Sequence, residues 1–178
     1  YVTTPCFLID LGSLAEPGED LVTSEGETYR WSGGVGPNRS IVAFSAICAH
    51  KMSYPTRSVS FIDYRHKPMS GDGTGSNWWD RGQVIYCCSE GSVYDPRDGA
   101  RVMSGPAPQP LAAVSLEFVA EEQALMATGI YGGAMLEQFL EKFGFQVALA
   151  HKIDDVWRPA SGTTGVWPLD EYSRTGVC

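Results

Sequence analysis

A short apolar strand, Val84-Ile85-Tyr86, runs straight into two adjacent cysteines, Cys87 and Cys88, and then into Ser89-Glu90-Gly91-Ser92. The chain leaves this turn through Val93-Tyr94-Asp95-Pro96. A comparable place lies upstream, where the compact apolar run Ile41-Val42-Ala43-Phe44 delivers the chain to Cys48-Ala49-His50. Further on, Gly105-Pro106-Ala107-Pro108 makes a stiff segment, because each proline fixes its own φ. Two loops carrying thiols and an imidazole, each at a strand end, form a metal-site layout. Thiolate sulfur and imidazole nitrogen suit zinc, copper and iron–sulfur clusters, whereas hard ions such as calcium prefer oxygen. Cys48 and His50 are close enough in sequence to turn toward one centre.

The remainder of the chain predicts an all-β protein. Twenty glycines and eleven prolines with only 19% charged residues favour many turns and short strands over a helical bundle. Cys6 to Leu11, Leu21 to Trp31 with its Glu25-Gly26-Glu27 turn, Ile41 to Phe44, Val59 to Tyr64, Val84 to Tyr86 and Arg101 to Met103 read as strands. Leu111 to Val119 and Leu125 to Ile130 read as a further pair. Asp95-Pro96-Arg97-Asp98-Gly99 has the residues of a hairpin turn. One helix is expected, since Leu136, Phe139, Leu140 and Phe143 fall at i, i+3, i+4 and i+7. Gly144 sits where a C-terminal cap would end it, and Phe145, Val147 and Leu149 then alternate as a last strand reaching His151.

A net charge of −8 argues against a nucleic-acid or anionic-membrane surface as the main partner. Nothing in the sequence approaches the length of a bilayer span. The sequence opens at Tyr1 without Met, which leaves room for an N-terminal anchor or export signal upstream. The Gly71 to Asn77 loop is glycine-rich but lacks the Lys-Ser/Thr and the following helix of a phosphate loop, so it reads as an exposed loop. Five cysteines cannot all pair within one chain. Cys6 and Cys178 lie near the two ends, where they can pair with each other, pair with another chain, or stay free.

Taken together, Cys-x-His, a strand, Cys, then Gly-Ser-x-Tyr-Asp-Pro and Gly-Pro-Ala-Pro resemble the Rieske [2Fe–2S] family. The resemblance is closest to the iron–sulfur subunit of quinol-oxidising complexes of the cytochrome bc type, and it covers about Ile41 to Leu116 well. In that family two cysteines hold one iron and two histidines the other. The resemblance therefore implies a Rieske-type antiparallel sandwich with an inserted cluster-binding subdomain, one helix and an extended C-terminal arm. The implied divisions are a Rieske-like domain over 1–151, with its base at 1–44 and 111–151 and the subdomain at 45–110, and an arm over 152–178. Cys48, His50 and Cys87 fall on ligand positions, and Ser92, Tyr94, Gly105, Pro106 and Pro108 on the cluster surroundings.

The departure is at the second loop. The family's second histidine falls on Glu90; starting the motif at Cys88 instead puts Gly91 there. Glu90 is then the candidate fourth ligand, with Cys88 as an alternative sulfur. Ser53 and Ser89 occupy the two positions at which many respiratory members link the loops by a disulfide. The resemblance implies an electron-transfer subunit of a membrane-associated respiratory or photosynthetic complex, on the periplasmic side. Its neighbours would be other subunits of that complex, such as a c-type cytochrome or a quinol-oxidising cytochrome. Two other readings compete: a Rieske-like structural or assembly subunit that has lost its cluster, and a mononuclear zinc site using Cys48, His50, Cys87 and Cys88. His66, in the excursion between the loops, reads as a surface histidine that could also swing in as a ligand. No Ser/His/Asp set or paired carboxylates in a recognisable frame point to a hydrolase.

Overall fold

The computed structural model of the chain describes residues 4–68, 81–173 and 175. It is all-β, as the sequence predicts, with ten strands among the described residues and one long helix. The base is a four-stranded antiparallel sheet of order β1-β4-β9-β10, from β1 (Cys6–Asp10), β4 (Ile41–Ser45), β9 (Ala113–Val119) and β10 (Ala124–Tyr131). A hairpin of β2 (Gly18–Val22) and β3 (Thr28–Trp31) lies beside it. That hairpin sends Leu21 and Trp31 into the core, where the Trp31 ring lies 5.7 Å from that of Phe44. Its first strand starts at Gly18, three residues before the Leu21 start expected from sequence.

A second four-stranded sheet, ordered β5-β6-β7-β8, is inserted between β4 and β9. Its strands are β5 (Ile62–Arg65), β6 (Val84–Cys87), β7 (Ser92–Asp95) and β8 (Arg101–Ser104). The chain leaves and re-enters the base at one place, since Phe44 on β4 stands opposite Ala113 on β9. The Ser45 N–H donates to the Ala112 carbonyl across that gap at 2.7 Å. Side chains alternate across a strand with period two. Accordingly Ile62, Ile85, Cys87 and Tyr94 join the main core, while Val84, Val93 and Tyr86 pack together separately. The Gly71 to Asn77 loop and Trp78-Trp79 lie outside the described residues.

The helix departs most from the sequence expectation. α1 runs Ala134–His151, straight through Gly144, and replaces the predicted last strand. Gly144 is not a cap. It is buried, and a Cβ there would come 3.2 Å from Val156 Cγ2, so glycine admits the returning chain. The cap is Lys152, whose left-handed φ of 55° lets its N–H donate to the Ala148 carbonyl. Met135, Leu136, Phe139, Leu140, Gly144 and Val147 form the buried stripe, each large one contributing about 1.5–3 kcal/mol. Phe145 and Leu149, whose alternation with Val147 suggests a strand, are 80% and 71% exposed on the opposite face. His151 lies in the last helical turn.

The helix also supports the metal-site end. Phe139 meets the ring of Tyr54 edge-on at 5.0 Å, bracing the segment that follows the first loop. A short second helix, α2 (Leu169–Tyr172), interrupts the arm. Gly144→Leu should overpack the approach to Val156 and lower the unfolding free energy by about 1–3 kcal/mol in urea titrations. Phe145→Ser should change it by no more than about 0.5 kcal/mol. The opposite order of sensitivities would contradict this helix register.

Candidate metal centre

Each loop is built by its own backbone. In the first, the Cys48 N–H donates to the Ser53 carbonyl at 2.8 Å and the Met52 N–H donates back to the Cys48 carbonyl at 2.9 Å. Met52 takes a left-handed φ of 56° to close it. In the second, Cys87 on β6 stands opposite Ser92 on β7, so the intervening residues form a tight connection. The Gly91 N–H donates to the Cys87 carbonyl at 2.7 Å, with Gly91 at φ +83°, a conformation that favours glycine.

The structure brings Cys48, Cys87 and Glu90 together, with one donor atom of each within 4.8 Å of the others. Both cysteines are fully buried. The Glu90 side chain is 2% exposed, while that of His50 is 38% exposed. One Glu90 oxygen accepts from the Cys48 thiol at 2.7 Å, and the other is hydrogen-bonded to His50 Nδ1. Glu90 therefore points inward, and His50 reaches the centre through it.

The electrostatics of the two sulfurs are linked. The Cys48 thiol is pushed up by its hydrogen bond to Cys87, then by burial and by Glu90. Cys87 is pushed down to about 6, chiefly by its side-chain hydrogen bond with Cys48. A soft metal bound here would displace the remaining thiol proton. Tyr94 is held protonated, first by burial and then by the negative charges near it. Its oxygen accepts from the Ala49 N–H at 3.4 Å and lies 3.8 Å from the Cys48 sulfur, placing an O–H donor beside that sulfur.

The proline segment covers this end. The buried Ser92 hydroxyl accepts from the Ala107 N–H at 3.0 Å, tying the cover to β7. Gly105 adopts φ +95°, and a Cβ there would meet Ser92 Cα at 2.4 Å. Glycine is thus required for Gly105 to Pro108 to close over the second loop.

One sequence expectation is corrected. Cys88 is not a ligand: its sulfur is committed to a disulfide and lies 3.5 Å from the Phe61 carbonyl oxygen. Its neighbour Cys87, the last residue of β6, is the one that faces the main core. This also removes the zinc set that depends on Cys88. Of the states the sequence leaves open for Cys6, the structure has the free thiol; Cys178 lies outside the described residues. His66 stays on the exposed surface, 6.5 Å from the Tyr64 ring.

Ser53 has a role that sequence reasoning missed. Its hydroxyl lies 3.5 Å from the Cys87 sulfur and donates to the Ser89 hydroxyl at 3.4 Å. Sequence spacing carries no signal for this contact, because Ser53 and Cys87 belong to different loops.

No protein-family model matches this chain, and no curated protein matches it. Among solved structures it is similar to the soluble domain of the Rieske protein II (soxF) from Sulfolobus acidocaldarius. The identity is 30% and the TM-score 0.49, over 71% of this chain. The match spans 62% of the length of that structure.

The facing serines offer a direct check on how the loops oppose each other. The double variant Ser53→Cys/Ser89→Cys should form a disulfide in air, seen as blocked alkylation at both positions without reductant. The link should stabilise the fold, within the usual ~2–4 kcal/mol of such bonds. Free thiols at both positions after oxidation would contradict the geometry.

Proposed function

We propose that this chain is a Rieske-type electron-transfer protein whose [2Fe–2S] cluster is held by Cys48, His50, Cys87 and Glu90. The observation that carries this reading is the buried Glu90 carboxylate, which points into the same centre as the two buried cysteines and touches His50. The donor set fits the group. Two buried thiols supply sulfur, an imidazole and a carboxylate complete the count, and Tyr94 and Ser53 place hydroxyls beside the sulfurs. Bound there, such a cluster supplies one-electron transfer.

The residues then set its properties. A carboxylate in place of a neutral imidazole adds negative charge, which favours the oxidised state and lowers the potential. The hydroxyl donor beside the Cys48 sulfur, from Tyr94, works in the other direction. His50, the more exposed of the four, is the side from which a partner can approach. No helix among the described residues is long and apolar enough to cross a membrane. We infer a subunit of a membrane electron-transfer complex on the periplasmic side, with a cytochrome or another subunit as its redox neighbour. The family resemblance supports this placement, and so does the disulfide at Cys88, since such bonds persist in oxidising compartments.

A second reading has its own observation. Both Glu90 oxygens find partners in Cys48 and His50, so the loops close by protein contacts alone. That is the arrangement of a clusterless scaffold, with the same fold serving in assembly. Purification separates the two. The electron carrier should be brown, with about two irons and two acid-labile sulfides per chain and a paramagnetic signal on reduction. Colourless protein without iron or sulfide would establish the scaffold reading.

With iron present, Glu90→His should raise the potential by on the order of 100 mV, read by redox titration. Tyr94→Phe should lower it by tens of millivolts, roughly the effect of one lost hydrogen bond to sulfur. An unchanged potential in Glu90→His would exclude Glu90 as a ligand.

A further inference from the structure

The β9–β10 hairpin carries an apolar face that the core does not cover. Phe44 opposite Ala113 is the one pair that joins β9 to β4 among the described residues, so most of the hairpin is a two-stranded ribbon. Residues opposite each other across a strand pair share a face. On one face Phe118 stands opposite Leu125, Leu116 opposite Ala127 and Val114 opposite Ile130. Ala113 and Tyr131 lie on the other face, Ala113 in the core and Tyr131 stacked on Tyr29 at 5.7 Å. The six-residue face therefore points away from the core, and none of its members joins or packs against a core cluster among the described residues. It continues onto the base, where Ala43, next to Phe44, shares this side with its exposed partner Leu8. A two-stranded ribbon is marginal in water without something packed on its apolar face.

Size and charge say what covers it. The seven residues of β9, at about 3.4 Å each, make a ribbon roughly 24 Å long, and two strands make it about 10 Å wide. Four turns of α-helix span nearly the same length, about 22 Å. The ribbon's footprint falls far below the roughly 800 Å² per partner of a stable dimer, which favours one docked helix over a second copy of the chain. The charges nearby have one sign. No Lys or Arg occurs between Arg101 and Lys142, and the turn joining β9 to β10 carries the exposed Glu121 and Glu122. Such a turn repels an anionic membrane surface and attracts basic groups.

We propose that this face docks an amphipathic helix of a partner protein. Its apolar stripe lies along the β9–β10 ribbon, and Lys or Arg residues at one end meet Glu121 and Glu122. The inference does not depend on what the metal centre holds.

Titrating the ¹⁵N-labelled full chain with a helical Leu/Lys peptide of about four turns, leucines on one face, tests this. Saturable amide shifts should map to residues 114–118 and 121–130, and a Leu/Glu peptide with the same leucine pattern should bind more weakly. Ala127→Lys places an unpaired charge at the centre of the face, from an exposed position, and should weaken Leu/Lys binding at least about tenfold. Phe145→Ser, on the exposed side of α1, should leave binding unchanged. The double reversal Glu121→Lys/Glu122→Lys should favour the Leu/Glu peptide instead. Shifts confined to α1, equal binding by the parent and Ala127→Lys, or a charge preference unmoved by the reversal would overturn the proposal. So would a chain dimer in sedimentation equilibrium, or co-sedimentation with phosphatidylcholine vesicles, that Ala127→Lys abolishes, because a second copy or a lipid surface would then occupy the face.

Discussion

The Glu90 carboxylate, buried between the Cys48 sulfur and the His50 ring, is the contact on which the two loops depend. An ionised carboxylate removed from water costs several kcal/mol (a rough figure for real proteins) unless its oxygens are paired. In this centre both are paired, one to each functional residue of the opposite loop. The fold makes this possible by inserting a small sheet at a single place in the base, between β4 and β9. That placement sends the first loop off the end of β4 and turns the second loop back toward it. The proline cover, tied through Ser92 and Ala107 and admitted by Gly105, closes the end from outside.

The same centre carries its own electrostatic logic. Burial and negative neighbours keep Tyr94 protonated, and that leaves an O–H to offer the Cys48 sulfur. The Ser53 hydroxyl oxygen lies 3.5 Å from the Cys87 sulfur, from the other loop. Each sulfur thus has a hydroxyl beside it, and each loop reaches across to the other. Of Cys48, His50, Cys87 and Glu90, His50 alone is partly open to solvent, so the site is reached from one side.

Most of the strands were legible, because short apolar runs bounded by glycine, proline and aspartate leave few alternatives. The centre was legible for a related reason. Cys48, His50, Cys87 and Glu90 lie in compact motifs, and tight loops keep sequence neighbours near in space. Ser53 was visible only as half of an absent disulfide, since its contact with Cys87 joins two separate loops. The helix end was misread because Gly144 fits two roles. At a helix end glycine supplies a left-handed cap; in a helix interior it supplies room, and Val156, outside the helical pattern, decides between them. Exposed Phe145 and Leu149 then imitate strand alternation. The fate of Cys88 was hidden for the same reason as Ser53: its surroundings at Phe61 come from another segment.

As a cluster site, the proposed centre has one imidazole ligand, from His50, and the Glu90 carboxylate in the place of a second. Pulsed electron paramagnetic resonance on reduced protein carrying ¹⁵N-labelled histidine reads this directly, by counting the histidine nitrogens coupled to the cluster. One strongly coupled histidine nitrogen, lost in His50→Ala, is the predicted result. Two such nitrogens would contradict the proposed ligand set, because a second histidine would then hold the position assigned to Glu90.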